Sequence, residues 1–264
     1  MPRLGQHFLT DKNALKKIAG FLDLKEGDAV VEIGPGHGEL TEQILNNELR
    51  IKNTEIKIIA IEKDEQLAES LRKKFEARGN VEIICGDALK LLPSIIHNSL
   101  FIIHGYKLAG NIPYYITGKL LRTISELPEK PEISVFTIQK EVAERLAAKP
   151  PKMNRLAASV QFWAEPEIAL IIPRDSFRPI PDVDSATIVL KKGVQKGIKT
   201  DAYYKTVRVL FSQPRKTILN NISNGMNISK DEARSKLKKA GIDENLRPQN
   251  LSVEDIIKIA VAFQ

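Results

Sequence analysis

The sequence holds one cysteine, Cys85, in 264 residues. That excludes an internal disulfide and a zinc site built on cysteines. It has no run of about 18 apolar residues of the kind that spans a bilayer. Its first residues, MPRLGQHFLTDKN, lack the apolar core of a secretion signal, so a cytoplasmic protein with no membrane partner is expected. Internal repeats and low-complexity tracts are also missing. What is present is a 42% hydrophobic share, which is enough to build a real core. The length suits one large domain, or a large and a small one. A net charge of +7 favours an acidic partner, and nucleic acid is the commonest. The excess is uneven, with 12 Lys and Arg against 7 Asp and Glu between Lys199 and Gln264.

Up to about residue 192, apolar runs alternate with amphipathic segments. DAVVEIGPG (28–36), EIKIIAIEKD (55–64) and NVEIICGDAL (80–89) read as strands ending in glycine or polar residues. HGELTEQILNN (37–47) and EQLAESLRKKF (65–75) between them have helical spacing. Further strands are expected at 106–112, 132–139, 167–173 and 186–192, and Cys85 reads as a buried strand residue. This β-α alternation predicts a parallel sheet with helices on both faces, which binds ligands at the carboxyl ends of its strands. The stretch KKGVQKGIKT (191–200) reads as a linker. Beyond it, 201–222, 229–241 and 252–263 read as helices; Ser229 with Glu232 opens the second and Gly241 stops it. Two domains follow from this: 1–192, an α/β sheet, and 199–264, small, helical and basic.

The polar strand ends carry the chemistry. VVEIGPGHGELT sets Gly34, Gly36 and Gly38 between a strand and a helix, with Glu32 just before them. Glycines let backbone approach a ligand closely, and the helix N-terminus behind them suits an anionic group. The dinucleotide spacing G-x-G-x-x-G fails, because Glu39 stands at its last position. Glu62, ending the next strand, can accept hydrogen bonds from the two hydroxyls of a ribose. Asp87, ending the third, can accept the exocyclic amine of an adenine. Together they describe a nucleoside with a short charged tail, which fits S-adenosylmethionine. No metal site is read from the sequence.

The stretch GNIPYYITG (110–118) follows the fourth strand, at the same edge of the sheet. It suits methyl transfer to an adenine amine. That nitrogen is a poor nucleophile because its lone pair is delocalised into the ring. Acceptors that hold its two hydrogens favour pyramidal geometry, and the Asn111 side-chain oxygen and the Ile112 carbonyl are such acceptors. Pro113 stiffens the loop that aims them. Tyr114 offers a flat face, and stacking of that kind contributes about 1–3 kcal/mol per base. Tyr115 reads as packing. No strong general base is required, and positioning supplies up to roughly 7–11 kcal/mol of the barrier.

With these motifs in view, the chain resembles the ribosomal RNA adenine dimethyltransferases of the small subunit, almost end to end. GQHFLTD (5–11) resembles the family's N-terminal motif, which closes over the cofactor. VEIGPGHGELT, IEKD, GDAL and GNIPYYIT resemble its cofactor and target motifs. SFRPIPDVDSATIVL (176–190) resembles the segment whose phenylalanine, here Phe177, faces the target base opposite the tyrosine. LFSQPRKTILNNI and LRPQNLSVEDIIKIA resemble motifs of its helical C-terminal domain. Pro214 and Leu219 stand where many relatives carry arginine, while Arg215 and Lys216 remain. The resemblance implies a Rossmann-like class I S-adenosylmethionine-dependent methyltransferase sheet with a small C-terminal all-helical domain. It implies cofactor contacts at His7, Leu9, Gly34, Gly36, Glu62, Asp87 and Asn111, and a target site of Asn111, Pro113, Tyr114 and Phe177. It also implies four methyl transfers to two adjacent adenosines near the 3′ end of small-subunit rRNA, within a ribosomal precursor. Nothing demands a dimer, and a monomer is expected. The stretch 93–110 is longer than is usual in the family, so an extra loop or a longer strand is expected there. Rival readings are a resistance methyltransferase of large-subunit rRNA, a DNA adenine methyltransferase, and a non-catalytic assembly factor that keeps the fold. The intact Asn-Ile-Pro-Tyr and Gly34, Glu62 and Asp87 set argues against the last.

Overall fold

The computed structural model describes residues 7–48, 56–97, 105–193 and 197–264. Its strands are β1 (Phe8–Leu9), β2 (Ala29–Ile33), β3 (Lys57–Glu62), β4 (Val81–Cys85), β5 (Lys107–Asn111), β6 (Ile133–Gln139), β7 (Ala164–Ile172), β8 (Phe177–Arg178) and β9 (Ser185–Lys192). Its longer helices are α1 (Lys12–Gly20), α2 (Glu39–Glu48), α3 (Glu65–Phe75), α4 (Ala88–Ile96), α5 (Thr117–Glu126), α6 (Lys140–Leu146), α7 (Arg155–Val160), α8 (Thr200–Leu210), α9 (Ile218–Met226), α10 (Lys230–Lys239) and α11 (Val253–Ala262).

Seven strands form one sheet in the order β4-β3-β2-β5-β6-β9-β7. Strands β4, β3, β2, β5 and β6 run parallel, and β9 pairs antiparallel to β6. The strand order reverses between β2 and β5, which makes the crevice beyond their carboxyl ends the ligand-binding place in such a sheet. Val30, Val31 and Ile33 of β2 are buried, as are Ile58, Ile59, Ala60 and Ile61 of β3. Continuous apolar runs are what a strand covered on both faces requires. Cys85, by contrast, is exposed. It ends β4, the edge strand, where side chains lack a neighbour on one flank.

Helix starts follow local chemistry. Asp11, Asp64 and Asp87 each accept backbone N–H groups of the first turn of α1, α3 and α4. Helices α6 and α7 are too short to carry the long periodic pattern that marks α2 and α3. Pro93 lies inside α4, and α6 and α7 are only 7 and 6 residues long. Part of the longer stretch expected at 93–110 lies at 98–104, outside the described residues. On either side of it the chain is helical to Ile96 and extended from Lys107. Residues 194–196 of the expected linker also lie outside them.

The chain divides into two compact units, Met1–Ala143 with Glu165–Lys192, and Glu144–Ala164 with Gly193–Gln264. The sequence boundary at 192 leaves 144–164 with the sheet. The structure groups that stretch with the C-terminal helices because Met153, Ala157 and Ala158 share a buried cluster with Tyr203, Val207 and Leu210. Phe162 stacks on Tyr203 with ring centroids 3.9 Å apart, and the Tyr203 hydroxyl donates to the Ala158 carbonyl. The single helix expected over 201–222 is two, α8 and α9. Pro214 lies in the break, and the buried Asn221 amide donates to the carbonyls of Leu210 and Gln213. Those bonds satisfy carbonyls that the end of α8 leaves open.

One close approach fixes the sheet at its reversal. A Cβ placed on Gly110 of β5 lies 2.5 Å from the Ile33 carbonyl oxygen of β2, a backbone atom that cannot rotate away. Gly110→Ala is therefore expected to lower stability by about 2–3 kcal/mol, read from urea unfolding. Gly118→Ala, where an added carbon meets nothing within 4 Å, is the control and leaves stability unchanged or raised.

Candidate active site

The glycine loop follows β2. Gly34, Gly36 and Gly38 have φ of 66°, 63° and 86°, the left-handed region that side chains disfavour. Gly36 has a second constraint. A Cβ there would lie 2.8 Å from the ring of Phe8, so the N-terminal strand β1 lies directly on the loop. Phe8 also packs against His37, ring centroids 4.6 Å apart. In front of Gly34 an added carbon meets nothing within 4 Å, so the backbone faces open space.

Two buried carboxylates hold this loop from beneath. Glu62, 1% exposed, accepts the Gly36 N–H at 3.1 Å on one oxygen and the Asp64 N–H at 2.9 Å on the other. Each carboxylate oxygen keeps further accepting capacity. Glu32, 1% exposed, accepts the Thr41 hydroxyl at 2.6 Å. Burial pushes the Glu32 carboxyl up to about 7 and the Thr41 hydrogen bond opposes it; the neighbouring Glu39 and Glu62 charges add to the rise. Asp87 caps α4 through the Leu89 N–H at 3.0 Å and meets Lys63 Nζ at 3.2 Å.

Asn111 ends β5 at the sheet reversal. Its Nδ2 donates to the His7 carbonyl at 2.7 Å, which turns Oδ1 to the opposite side of the amide. Ile112 is anchored by its N–H to the Thr137 carbonyl at 3.0 Å, and Pro113 follows with φ of −54°. Tyr114 opens a short 3-10 turn. Its hydroxyl meets the Ser185 hydroxyl at 3.0 Å, and the His7 ring lies on it at 5.9 Å with the planes 28° apart. Burial raises the Tyr114 phenol above its ordinary value, so it stays protonated. His7 is held in turn by its Nδ1 against the Pro179 carbonyl at 2.8 Å.

These side chains line two hollows. His7, Gly34, Gly36, Asn111, Pro113, Tyr114 and Phe177 border the first, of about 40 Å³. Gly34, Glu62, Asp87, Pro113 and Tyr115 border the second, of about 60 Å³. Gly34 and Pro113 belong to both. Phe177 is 1% exposed and pairs with Leu9 across the β1–β8 ribbon. Leu9 borders neither hollow; its side chain is 3% exposed and lies in the core. Tyr115, read from the sequence as packing, is 57% exposed and borders the second hollow. Phe8, Gly110 and Ser185 escape the sequence reading as site residues. GQHFL flags Phe8 only as part of a motif, and the other two act through contacts distant in sequence.

An amide and a proline-stiffened aromatic facing a glycine loop and two strand-end acids, at the reversal of a Rossmann-like sheet, define an S-adenosylmethionine-dependent methyltransferase. The chain belongs to the ribosomal RNA adenine dimethylase family, whose model matches residues 1–264. It is 35% identical to a ribosomal RNA small subunit methyltransferase A of Fusobacterium nucleatum, over 99% of this chain and 97% of that protein. It is 37% identical to one of Dehalococcoides mccartyi, over 96% of this chain and 84% of that one. The crystal structure of a dimethyladenosine transferase from Plasmodium falciparum superposes with a TM-score of 0.79 at 25% identity, covering 97% of both chains. The crystal structure of the 23S rRNA methyltransferase ErmE, at 23% identity and a TM-score of 0.72, shares the fold.

Glu32 yields a test of the loop's electrostatics. A carboxyl whose pKa is raised on folding stabilises fully below its unfolded value of about 4.5 and loses that contribution as pH rises through about 7. The wild type should therefore lose about 3 kcal/mol relative to Glu32→Gln between pH 4.5 and 7.5. Parallel stability curves for the two proteins over that range would contradict the assignment.

Proposed function

We propose that the chain methylates the N6 amines of two adjacent adenosines near the 3′ end of small-subunit rRNA, giving dimethyladenosines in a ribosomal precursor. The single observation behind the chemistry is the orientation of Asn111, whose Nδ2 is committed to the His7 carbonyl. Its Oδ1 is the acceptor for one hydrogen of the target amine, and the Ile112 carbonyl accepts the other. Tyr114 and Phe177 border the hollow where the base lies, and Pro113 fixes the turn between acceptor and ring.

The cofactor fits the second hollow and the glycine loop. Glu62 is aimed at the ribose hydroxyls, Asp87 at the adenine amine, and the open space before Gly34 at the amino-acid tail, with Leu9 on the strand that covers it and His7 just before that strand. When bound, S-adenosylmethionine supplies an electrophilic methyl on a sulfonium leaving group. Asn111 and the Ile112 carbonyl hold the amine's two hydrogens as its lone pair turns toward that methyl. The nitrogen becomes acidic on attack, so its proton leaves late, and the site needs no strong base. A purine must leave its stack to enter, and Tyr114 offsets that cost.

The shared identity with small subunit methyltransferases A over nearly the full chain supports the choice of RNA. The helical unit supplies basic side chains for phosphates, with Arg215 and Lys216 exposed between α8 and α9. Leu219, at a family arginine position, is 8% exposed and packs in the core, so it offers no RNA contact. The protein acts as a monomer in the cytoplasm; among the described residues no helix is long and apolar enough to cross a membrane.

Asn111→Ala is expected to reduce methyl transfer at least 100-fold, the scale of losing a transition-state hydrogen-bonding group, while RNA binding persists. Radiolabel from the methyl donor should enter isolated small-subunit particles; label confined to large-subunit RNA would overturn the substrate assignment. Lys and Arg must displace counterions from phosphates, so RNA affinity should fall steeply from 50 to 200 mM salt. A flat response would remove the helical unit as the RNA surface.

A further inference from the structure

Tyr114 is joined to the chain by two rotatable side-chain bonds, and its turn fixes the backbone without fixing the ring. The His7 ring lies against one face, and a hydrogen bond holds the ring at its tip. The Ser185 hydroxyl lies 3.0 Å from the Tyr114 hydroxyl, and either can donate. Ser185 opens β9, whereas Tyr114 follows β5, and β6 lies between those two strands in the sheet. The contact therefore ties the target loop to a different part of the scaffold, 71 residues away in sequence.

Ser185 is itself immobile. It is fully buried, and its backbone pairs with Gln139 at the end of β6. The preceding Asp184 accepts the Lys140 N–H on its carbonyl at 3.1 Å and the Arg174 N–H on its side chain at 3.0 Å. Among the described residues the Ser185 hydroxyl has no other side-chain partner than Tyr114. A serine buried at a strand start needs no hydroxyl for packing, and here that hydroxyl meets the Tyr114 ring, which borders the same hollow as Asn111.

We propose that Ser185 is a positioning residue for methyl transfer, its hydroxyl fixing the plane and height of the Tyr114 ring on which the target base stacks. The inference rests on Tyr114 being that stacking face. With Ser185 in place the ring meets the base in one orientation. Without it the ring turns about its side-chain bonds, and the base is held less well against Asn111. Cofactor contacts at Glu62 and Asp87 are untouched, because they lie on β3 and beyond β4.

The test is a double-mutant cycle on the full-length protein with small-subunit particles as substrate. Ser185→Ala, Tyr114→Phe and the double variant are compared for RNA KM, kcat and S-adenosylhomocysteine affinity. Each single change should raise RNA KM about threefold to tenfold, the span of one hydrogen bond, with S-adenosylhomocysteine affinity unchanged. The double variant should match the singles, because both remove the same bond. Effects that multiply, or a loss of cofactor affinity as large as the rise in KM, would overturn the proposal. Tyr114→Phe keeps the buried strand intact and stands alone if Ser185→Ala fails to fold: an unchanged RNA KM in it would also overturn the link. Tyr114→Ala separates the two levels, since wild-type activity in that variant would remove the stacking role itself.

Discussion

The site depends on how closely two parallel strands can approach where the sheet changes direction. At the reversal, β2 leaves to one side and β5 to the other, and a crevice opens beyond their ends. Gly110 lets the β5 backbone come up against the Ile33 carbonyl, which no side chain would permit. The glycine loop begins at the very next residue of β2, and Asn111 at the very next residue of β5. The glycine loop and Asn111 are thus neighbours through backbone contact, and the separation of their backbones does not depend on side-chain motion. That matters because positioning, with a sulfonium already present as leaving group, is the main contribution the protein can make.

Around that contact the chain places charge sparingly. Glu32 and Glu62 are both buried beneath the loop, and they are treated differently. Glu62 receives two backbone N–H groups and is the acid turned toward the second hollow. Glu32 receives one hydroxyl and is driven toward the neutral form by burial. Two full negative charges so close in a dry interior would repel each other strongly. Raising the Glu32 carboxyl eases that repulsion. The N-terminal strand completes the arrangement, with Phe8 on Gly36 and the His7 carbonyl on Asn111. Both contacts sit over one buried cluster that Leu9, Val30, Ala109 and Phe177 share.

The sheet and most of its ligand-facing ends are legible in the sequence, because buried parallel strands are continuous apolar runs and functional residues sit at their ends. Glu62 and Asn111 are readable as strand ends on that ground and are the last residues of β3 and β5, while Asp87 lies two residues beyond β4. His7 and Leu9 are readable only through the family resemblance, since a two-residue strand has no period. The structure gives His7 a clear place beside Asn111 and Tyr114, and turns the Leu9 side chain into the core. What periodicity could not show were the contacts between distant residues: Ser185 to Tyr114, and Asn221 closing α8. The break in 201–222 falls at Pro214, whose ring and missing N–H a helix interior does not tolerate. Residues 144–164 follow the helical unit through packing, which a boundary drawn on composition does not register.

A crystal structure of the protein with S-adenosylhomocysteine bound tests the whole account most directly. The nucleoside should occupy the hollow of Glu62 and Asp87, and the sulfur should lie beside Gly34 and face Asn111 Oδ1. A ligand seated away from the reversal of the sheet, with Asn111 out of reach of its sulfur, would contradict it.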